Sequence, residues 1–327
     1  MKLGIVGTGM IVNLVGPHLE EWDCDVTAVA GTPQTMDEVR AVAEAHNAAA
    51  FDNYQTMLAE GDVDVAYIAV PNFLHYSFVK TCLEAGKHVI VEKPMTSNAA
   101  EAEELAALAR EKGLMLYEAI STVYLPNFKK IQELLPRIGQ VKVVTCNYSQ
   151  YSSRYNAFRE GQVLPAFDPA KSGGALMDLG LYNLHYLLGL FGEPKAMTYS
   201  PNIERGIDTS GVAVLDYGGF QAVSVAAKDC AAPAHYTIQG TDGYIMQSTP
   251  ANNCGEVTLH LNDGTEEKFS ENPELQWESE FRAFAAGIDA NDLEGCYKAL
   301  DHSLAVSRTM TAARLAAGIR FAADKEA

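Results

Sequence analysis

Residues 88–94 read His88-Val89-Ile90-Val91-Glu92-Lys93-Pro94, an apolar run followed at once by a carboxylate, an ammonium and a proline. The apolar part has the length and texture of a strand buried on both faces. Such strands belong to parallel sheets, and open α/β sheets bind ligands beyond the carboxyl ends of their strands. Lys93 is therefore placed to deliver a cation to a ligand-binding edge. A lysine after a strand is by default a solvated loop residue, so the neighbouring segments decide what this one means.

Towards the N-terminus, Lys2-Leu3-Gly4-Ile5-Val6 predicts a strand. Gly7-Thr8-Gly9-Met10-Ile11-Val12 then opens a helical pattern carrying Leu14, Val15, His18 and Leu19. Strand, glycine turn and helix in this order are the context that a G-x-G-x-x-G dinucleotide fingerprint requires. Gly7 permits the tight turn, and Gly9 lets a pyrophosphate approach the backbone at the helix start. The third position is Val12, so the match is partial and equals no more than an ordinary strand–helix turn by itself. Further units follow: a strand over 26–30, a helix over 36–46, a strand over 63–70 ending before Pro71-Asn72 and a helix over 76–85. Beyond Pro94 come a helix over 99–112 and a strand over 114–118. Strands alternating with helices of this length predict a doubly wound parallel sheet. Right-handed crossovers bring Gly7, Gly31, Pro71, Lys93 and Glu118 to one edge. That convergence carries the dinucleotide-binding reading far beyond the glycine motif.

The residue closing the second strand separates NAD from NADP, because a carboxylate there binds the ribose 2′-hydroxyl and repels a 2′-phosphate. Here the strand ends in Gly31-Thr32-Pro33-Gln34, without a carboxylate, and Arg40 lies further along the helix. The reading leans to NADP and leaves NAD open.

With 327 residues, 48% of them apolar, the chain can bury a large core and is expected to form two domains. The expected division is a dinucleotide-binding Rossmann domain over 1–121 and a substrate-binding and oligomerisation domain over 122–327. A net charge of −18, from 42 acidic and 24 basic residues, repels phosphate backbones and anionic lipid, which argues against nucleic-acid and membrane partners. No apolar stretch reaches the roughly 18 residues of a spanning helix. The six cysteines show neither C-x-x-C pairing nor metal-ligand spacing, so a cytoplasmic protein with reduced thiols and no metal is expected.

After residue 121 the pattern changes. A helix over 126–135, with Pro126 in its first turn, precedes β-rich sequence. Strands are predicted over 141–149, 195–199, 211–217, 221–228, 235–239, 244–247, 257–261 and 266–269. Turn signals at Gly218-Gly219, Thr241-Asp242-Gly243 and Asn262-Asp263-Gly264 join several of them as hairpins. Helices return over 278–290 and 296–320. The expected fold class is α/β: an N-terminal Rossmann doubly wound parallel sheet plus a C-terminal α+β domain with a large open, mostly antiparallel sheet. Such an open face predicts burial against a second copy, hence a homodimer or homotetramer.

Within the second domain lies Gly173-Gly174-Ala175-Leu176-Met177-Asp178-Leu179-Gly180-Leu181-Tyr182-Asn183-Leu184-His185. As a helix from about Ala175, it sets Asp178, Tyr182 and His185 at i, i+4 and i+7 along one face. Polar groups on an otherwise buried helix are costly unless bonded or used. A satisfied network behind a core helix accounts for the segment equally well. The loop 148–159, rich in hydroxyls and aromatics, suits a polyol or sugar, and its Arg154 suits a carboxylate or phosphate; an ordinary surface loop is the equal alternative. Trp277, Glu278 and Glu280 are read as helix packing and N-terminal charge compensation.

Taken together, these segments resemble the Gfo/Idh/MocA family of nicotinamide-dependent oxidoreductases over essentially the whole chain. The carrying residues are Gly7-Thr8-Gly9-Met10-Ile11, Pro71-Asn72-Phe73-Leu74-His75, Glu92-Lys93-Pro94, Tyr117-Glu118-Ala119 and the glycine-led helix containing Asp178-Leu179-Gly180-Leu181-Tyr182. The resemblance implies cofactor contacts at Gly7 to Ile11, Gly31, Thr32, Val70, Pro71, Asn72, His75, Glu92, Lys93, Pro94 and Glu118. It also implies a catalytic set of Lys93, Tyr182 and Asp178, which with His185 would contact substrate; Arg154, read from its loop, completes the expected substrate-binding set. Tyrosine at 182 is similar to the branch containing glucose–fructose oxidoreductase and dimeric dihydrodiol dehydrogenase. The chain departs from the family pattern at Val12 and at the non-aromatic Ile120-Ser121-Thr122.

Hydride transfer at a carbinol carbon needs a group that takes or gives the hydroxyl proton. A lysine ammonium beside a tyrosine stabilises the tyrosinate, which makes Tyr182 the acid/base and Lys93 the group that polarises oxygen; the two roles can also be reversed. The expected activity is NAD(P)-dependent oxidation or reduction of a sugar, polyol or related hydroxy or keto compound. The alternatives are NAD-assisted chemistry without net redox, such as glycosidic cleavage through transient oxidation, and a non-catalytic nicotinamide sensor.

Overall fold

The computed structural model describes residues 1–324, which resolve into two compact units. The first contains Met1–Ala119 and Trp277–Leu304, the second Ile120–Gln276 and the chain from Ala305 onward.

In the first unit, six parallel strands run in the order β3-β2-β1-β4-β5-β6: β1 (Lys2–Val6), β2 (Asp25–Ala30), β3 (Ala49–Phe51), β4 (Val65–Ile68), β5 (His88–Glu92) and β6 (Leu116–Ala119). The order reverses between β1 and β4, the switch point at which a doubly wound sheet opens a crevice. Ile5, Val29, Tyr67, Ile68, Ile90 and Val91 are all buried, as strands covered on both faces require. Helices α1 (Met10–Val15), α2 (Met36–Ala45), α3 (Tyr54–Glu60), α4 (His75–Glu84) and α5 (Ala99–Lys112) make the crossovers. The helical pattern through Leu19 in fact breaks at Pro17, and two short 3-10 turns follow α1. β3 and α3 have no counterpart in the sequence reading. β3 is three residues long and carries no apolar alternation, and α3 is started by Asn53, whose side chain accepts from the Gln55 and Thr56 N–H groups.

The second unit is built on eight strands in the order β14-β13-β12-β11-β7-β10-β9-β8. They are β7 (Val141–Ser149), β8 (Ala196–Glu204), β9 (Ile207–Asp216), β10 (Gln221–Ala227), β11 (His235–Gly240), β12 (Gly243–Gln247), β13 (Val257–Leu261) and β14 (Glu266–Phe269). Every pairing is antiparallel except β7 with β10. One face, with Val144, Cys146, Leu215, Ala222, Tyr236, Ile238, Ile245 and Leu259, shares a core with α6 (Pro126–Leu134) and α8 (Leu181–Phe191). The short α7 (Tyr155–Arg159) adds Tyr155 and Phe158. On the other face Val143, Val212, Val214 and Tyr244 are exposed.

The last two helices correct the domain division at residue 122. α9 (Glu278–Asp289) and α10 (Leu293–Ala316) as far as Leu304 cluster with the first unit. Phe281 of α9 stacks on Trp22 and meets Tyr67 edge-on, Phe284 packs against Tyr117, and Leu300 and Leu304 join the core under β5 and β6. Sequence order conceals such a return, because apolar periodicity shows that a helix is buried but not against which sheet.

Tyr236 on β11 ties α8 to the sheet. Its hydroxyl donates to Asn183 Oδ1 at 2.6 Å and accepts the Ala251 N–H at 3.0 Å, and it is buried. Tyr236→Phe strands both partners away from water, and a buried polar group left unsatisfied costs about 1–3 kcal/mol. Urea unfolding of this variant is expected to show a loss of that size, and an unchanged midpoint would show that the hydroxyl is dispensable.

Candidate active site

The strand edge of the first unit holds the residues that the sequence assigned to a dinucleotide. Gly7 follows β1 at φ +107°, and a Cβ there would overlap the Ala69 carbonyl oxygen, so both backbone and space demand glycine. Gly9 is the opposite case. No atom lies within 4 Å of the Cβ position, and the adjoining Met10 at the start of α1 is 65% exposed. The backbone at the start of α1 is therefore open to close approach. Val12, in place of the third glycine, is buried and packs as core. After β2, a Cβ on Gly31 would crowd Thr35 and Val39, and Thr32 and Thr35 close a reciprocal cap, with Thr32 N–H donating to Thr35 Oγ1 at 3.0 Å. Arg40 pairs with Asp37 at 3.5 Å.

The loops after β4 and β5 are joined by a histidine. His75, wholly buried at the start of α4, sets Nε2 2.8 Å from the Val70 carbonyl and Nδ1 2.8 Å from that of Pro94. Burial lowers its pKa while the two carbonyls raise it. His75 thus braces the edge from beneath, and with it the Lys93-Pro94 peptide, which is cis. Pro71 caps a 3-10 turn, Asn72–Leu74, leading into α4.

Behind Lys93 lie three carboxyl groups. Glu92 accepts the Tyr67 hydroxyl at 2.6 Å, and burial raises its pKa while the Lys93 charge opposes the rise. Glu118 on β6 accepts the Met95 N–H at 2.8 Å, which ties the segment after Pro94 to the next strand. The third is Glu280 of α9, 1% exposed, whose Oε2 has no hydrogen-bond partner. Burial pushes its pKa well above the carboxylate range, and the Glu92 and Glu118 charges push it further. This corrects the assignment of Glu280 to helix-end charge compensation: it does stand in the first turn of α9, but it points into the interior. No pattern in the sequence distinguishes it from the Glu278 two residues earlier.

In the second unit, the glycine-led helix does not begin as an α-helix. Leu176–Gly180 form a π turn before α8. Such turns insert a residue into the helical ladder and concentrate at functional sites. The insertion breaks the even i, i+4, i+7 stripe. Asp178 keeps 36% side-chain exposure, Tyr182 is half-buried 6.0 Å from the Tyr148 ring, and His185 is wholly buried, a core position rather than a lining one. Tyr182 also packs on Leu179 and Ala226. The turn is anchored by Asp208, which accepts the Leu176 N–H and the Tyr199 hydroxyl, each at 2.7 Å, and burial raises its pKa to about 6. Gly174, at φ +110°, leaves no room for a Cβ beside Asp208. Asp178 Oδ2 lies 2.8 Å from the ammonium of Lys228, a buried lysine that the sequence reading did not single out. Arg154 stands exposed at the start of α7. Among the described residues, no cluster of three or more histidine, cysteine or acidic groups is arranged to hold a metal, and no helix is long and apolar enough to cross a membrane.

Two domain families match this chain. Residues 1–120 match the GFO_IDH_MocA oxidoreductase family, NAD-binding Rossmann fold, and residues 128–246 match the GFO/IDH/MocA C-terminal domain. The chain is 37% identical over 333 residues to scyllo-inositol 2-dehydrogenase (NADP(+)) IolU of Bacillus subtilis, covering 99% of each. It is 31% identical over 253 residues to trans-1,2-dihydrobenzene-1,2-diol dehydrogenase of Sus scrofa, covering 74% of this chain and 72% of that one. Among solved structures it shares its fold with KijD10, a 3-ketoreductase from Actinomadura kijaniata in complex with NADP. That match has a TM-score of 0.80 at 24% identity, over 96% of this chain and 97% of that one. The chain belongs to the Gfo/Idh/MocA family. It is an NAD(P)-dependent oxidoreductase acting on CH–OH groups.

Because folded Glu280 keeps its proton to higher pH than the unfolded side chain does, the folded state binds the extra proton above the ordinary carboxylate range. Stability therefore falls as pH rises. Glu280→Gln removes that slope. Urea unfolding from about pH 5 to pH 8 is expected to show the parent losing stability relative to the variant, and parallel curves would mean that Glu280 carries no raised pKa.

Proposed function

We propose that this protein transfers hydride between NADP(H) and a carbinol or carbonyl carbon of a sugar, polyol or related small compound. Lys93 and Tyr182 would handle the hydroxyl proton, and Asp178 would hold the substrate. The observation that carries the reading is the strand edge itself, where Lys93 directly follows β5 on the same edge as the open backbone of Gly9. When bound, the nicotinamide supplies or accepts the hydride. The chain supplies the rest. The ammonium of Lys93 polarises the reacting oxygen, Tyr182 gives or takes its proton, and Asp178 accepts a hydrogen bond from a substrate hydroxyl. Membership of a family whose relatives include an NADP-dependent inositol dehydrogenase supports a cyclic polyol or sugar as substrate. The preference for NADP rests on the turn after β2, which has no carboxylate to repel a 2′-phosphate.

A second copy of the chain is the proposed cover for the outer face of the large sheet. There Val214 and Val223 pair across β9 and β10, as do Val212 and Val225, and Val212 and Val214 stand exposed in the resulting apolar row.

Fluorescence titration of nucleotide-free protein is expected to show NADPH binding at least about tenfold tighter than NADH, a difference of about 1.4 kcal/mol. Equal or reversed affinity would remove the NADP assignment. Lys93→Met is expected to lower kcat by about 10²-fold or more, the usual scale for acid–base groups, with cofactor affinity largely kept. Full activity in that variant would sink the scheme. Product formation without net change in reduced-nicotinamide absorbance would favour transient oxidation instead.

A further inference from the structure

Lys228 follows the last residue of β10 and carries a charge where the fold permits almost no water. Its side chain is 3% exposed. Residues 222, 224 and 226 of β10 are buried, and 228 continues that inward register. Nζ donates to the Ala166 carbonyl at 2.9 Å, lies 4.7 Å from the centre of the Phe167 ring and pairs with Asp178 Oδ2 at 2.8 Å. The backbone is fixed on both sides. Lys228 N–H donates to Thr209 O at 2.8 Å, and its carbonyl accepts the Ser152 N–H at 2.9 Å. Asp208, which anchors the start of the π turn, also feels the Lys228 charge. Ala226, the penultimate residue of β10, shares with Leu179 and Tyr148 the small apolar cluster on which Tyr182 packs.

A buried ammonium persists only when paired and hydrogen-bonded, and here the partner is a carboxylate that the proposed reaction uses. We propose that Lys228 is a positioning residue, which pins Asp178 on the π turn as a permanent carboxylate and so makes it a hydrogen-bond acceptor for a substrate hydroxyl and not the base. The ammonium occupies one oxygen of Asp178 and sets the carboxyl plane, while the side chain keeps the exposure through which substrate can be met. The pair also joins β10 to the helix bearing Tyr182, so the tyrosine depends on it at one remove. This inference rests on the sugar or polyol oxidoreductase reading, and its test includes a readout that needs no turnover.

Lys228→Met, Lys228→Arg, Asp178→Asn and the Lys228→Met/Asp178→Asn double variant are compared with the parent, using scyllo-inositol and NADP as the assay pair. Lys228→Met is expected to raise KM for scyllo-inositol about tenfold or more with NADPH affinity unchanged, and Lys228→Arg to recover part of the loss. In a ¹³C-carboxyl NMR titration, Asp178 is expected to hold its proton to higher pH in Lys228→Met than in the parent, because the opposite charge is gone. In the Asp178→Asn background, Lys228→Met should add little to KM, since the two act as one unit. Should Lys228→Met fail to fold, Lys228→Gln, which keeps a hydrogen-bond donor without the charge, takes its place: Asp178 is expected to hold its proton to higher pH there than in the parent, and an unchanged titration overturns the proposal. A merely structural lysine would lower stability and leave both KM and the Asp178 titration where they were, and that result overturns the proposal. A parent that binds NADPH but oxidises no polyol overturns the functional reading instead, while the NMR comparison still decides whether Lys228 governs Asp178.

Discussion

A parallel sheet with right-handed crossovers has its strand ends sorted: every carboxyl end emerges on the same edge, whatever the loops contain. In this protein that constraint gathers Gly7, Gly31, Val70 and Lys93 from four loops, with Glu118 near the end of β6, on a single edge of a six-stranded sheet. The remaining chemistry of the unit is arranged around it. The imidazole of His75 joins two of those loops through their carbonyls, and Glu118 reaches across from β6 to the backbone after Pro94. The loop that carries Lys93, the ammonium proposed to act in catalysis, takes its geometry from buried neighbours. Here these are a histidine, a tyrosine and two glutamates.

The second unit solves a similar problem by distorting a helix. A regular α-helix from Ala175 would hold Asp178 and Tyr182, four residues apart, in a fixed stagger of about 40° and leave the chain no freedom to aim them separately. One π turn relaxes that stagger, and its cost is met by hydrogen bonds at its start, where Asp208 accepts the Leu176 N–H. Below the turn, the helix is held to the sheet by Asn183, which donates to Ser224 and to the Val225 carbonyl and accepts from Tyr236. The polar groups of this helix therefore divide: Asp178 and Tyr182 keep some exposure, while Asn183 and His185 are interior.

Both units bury an ionisable side chain beside residues proposed to take part in binding or catalysis. Glu280 stands next to Glu92 and Glu118, and Lys228 next to Asp178. The two cases differ in sign and in consequence. A carboxyl crowded by carboxylates relieves its environment by keeping a proton, whereas the buried ammonium has a carboxylate partner at 2.8 Å.

Apolar periodicity and glycine placement alone determined much of this protein. The strand β5 and the lysine behind it, the helix Ala99–Lys112 and the strands Val141–Ser149, Val257–Leu261 and Glu266–Phe269 were legible, because each depends on local pattern and punctuation. The parallel character of one sheet and the mostly antiparallel character of the other followed from what separates the strands. The sequence could not show where α9 returns, because an apolar helix face has no address. Nor could it show the π turn, which hydrogen bonds to Asp208 from a distant strand help to stabilise. Tertiary structure alone made Glu280 and Lys228 matter, since the environment of an ionisable side chain is set by residues far away in the chain that fold against it.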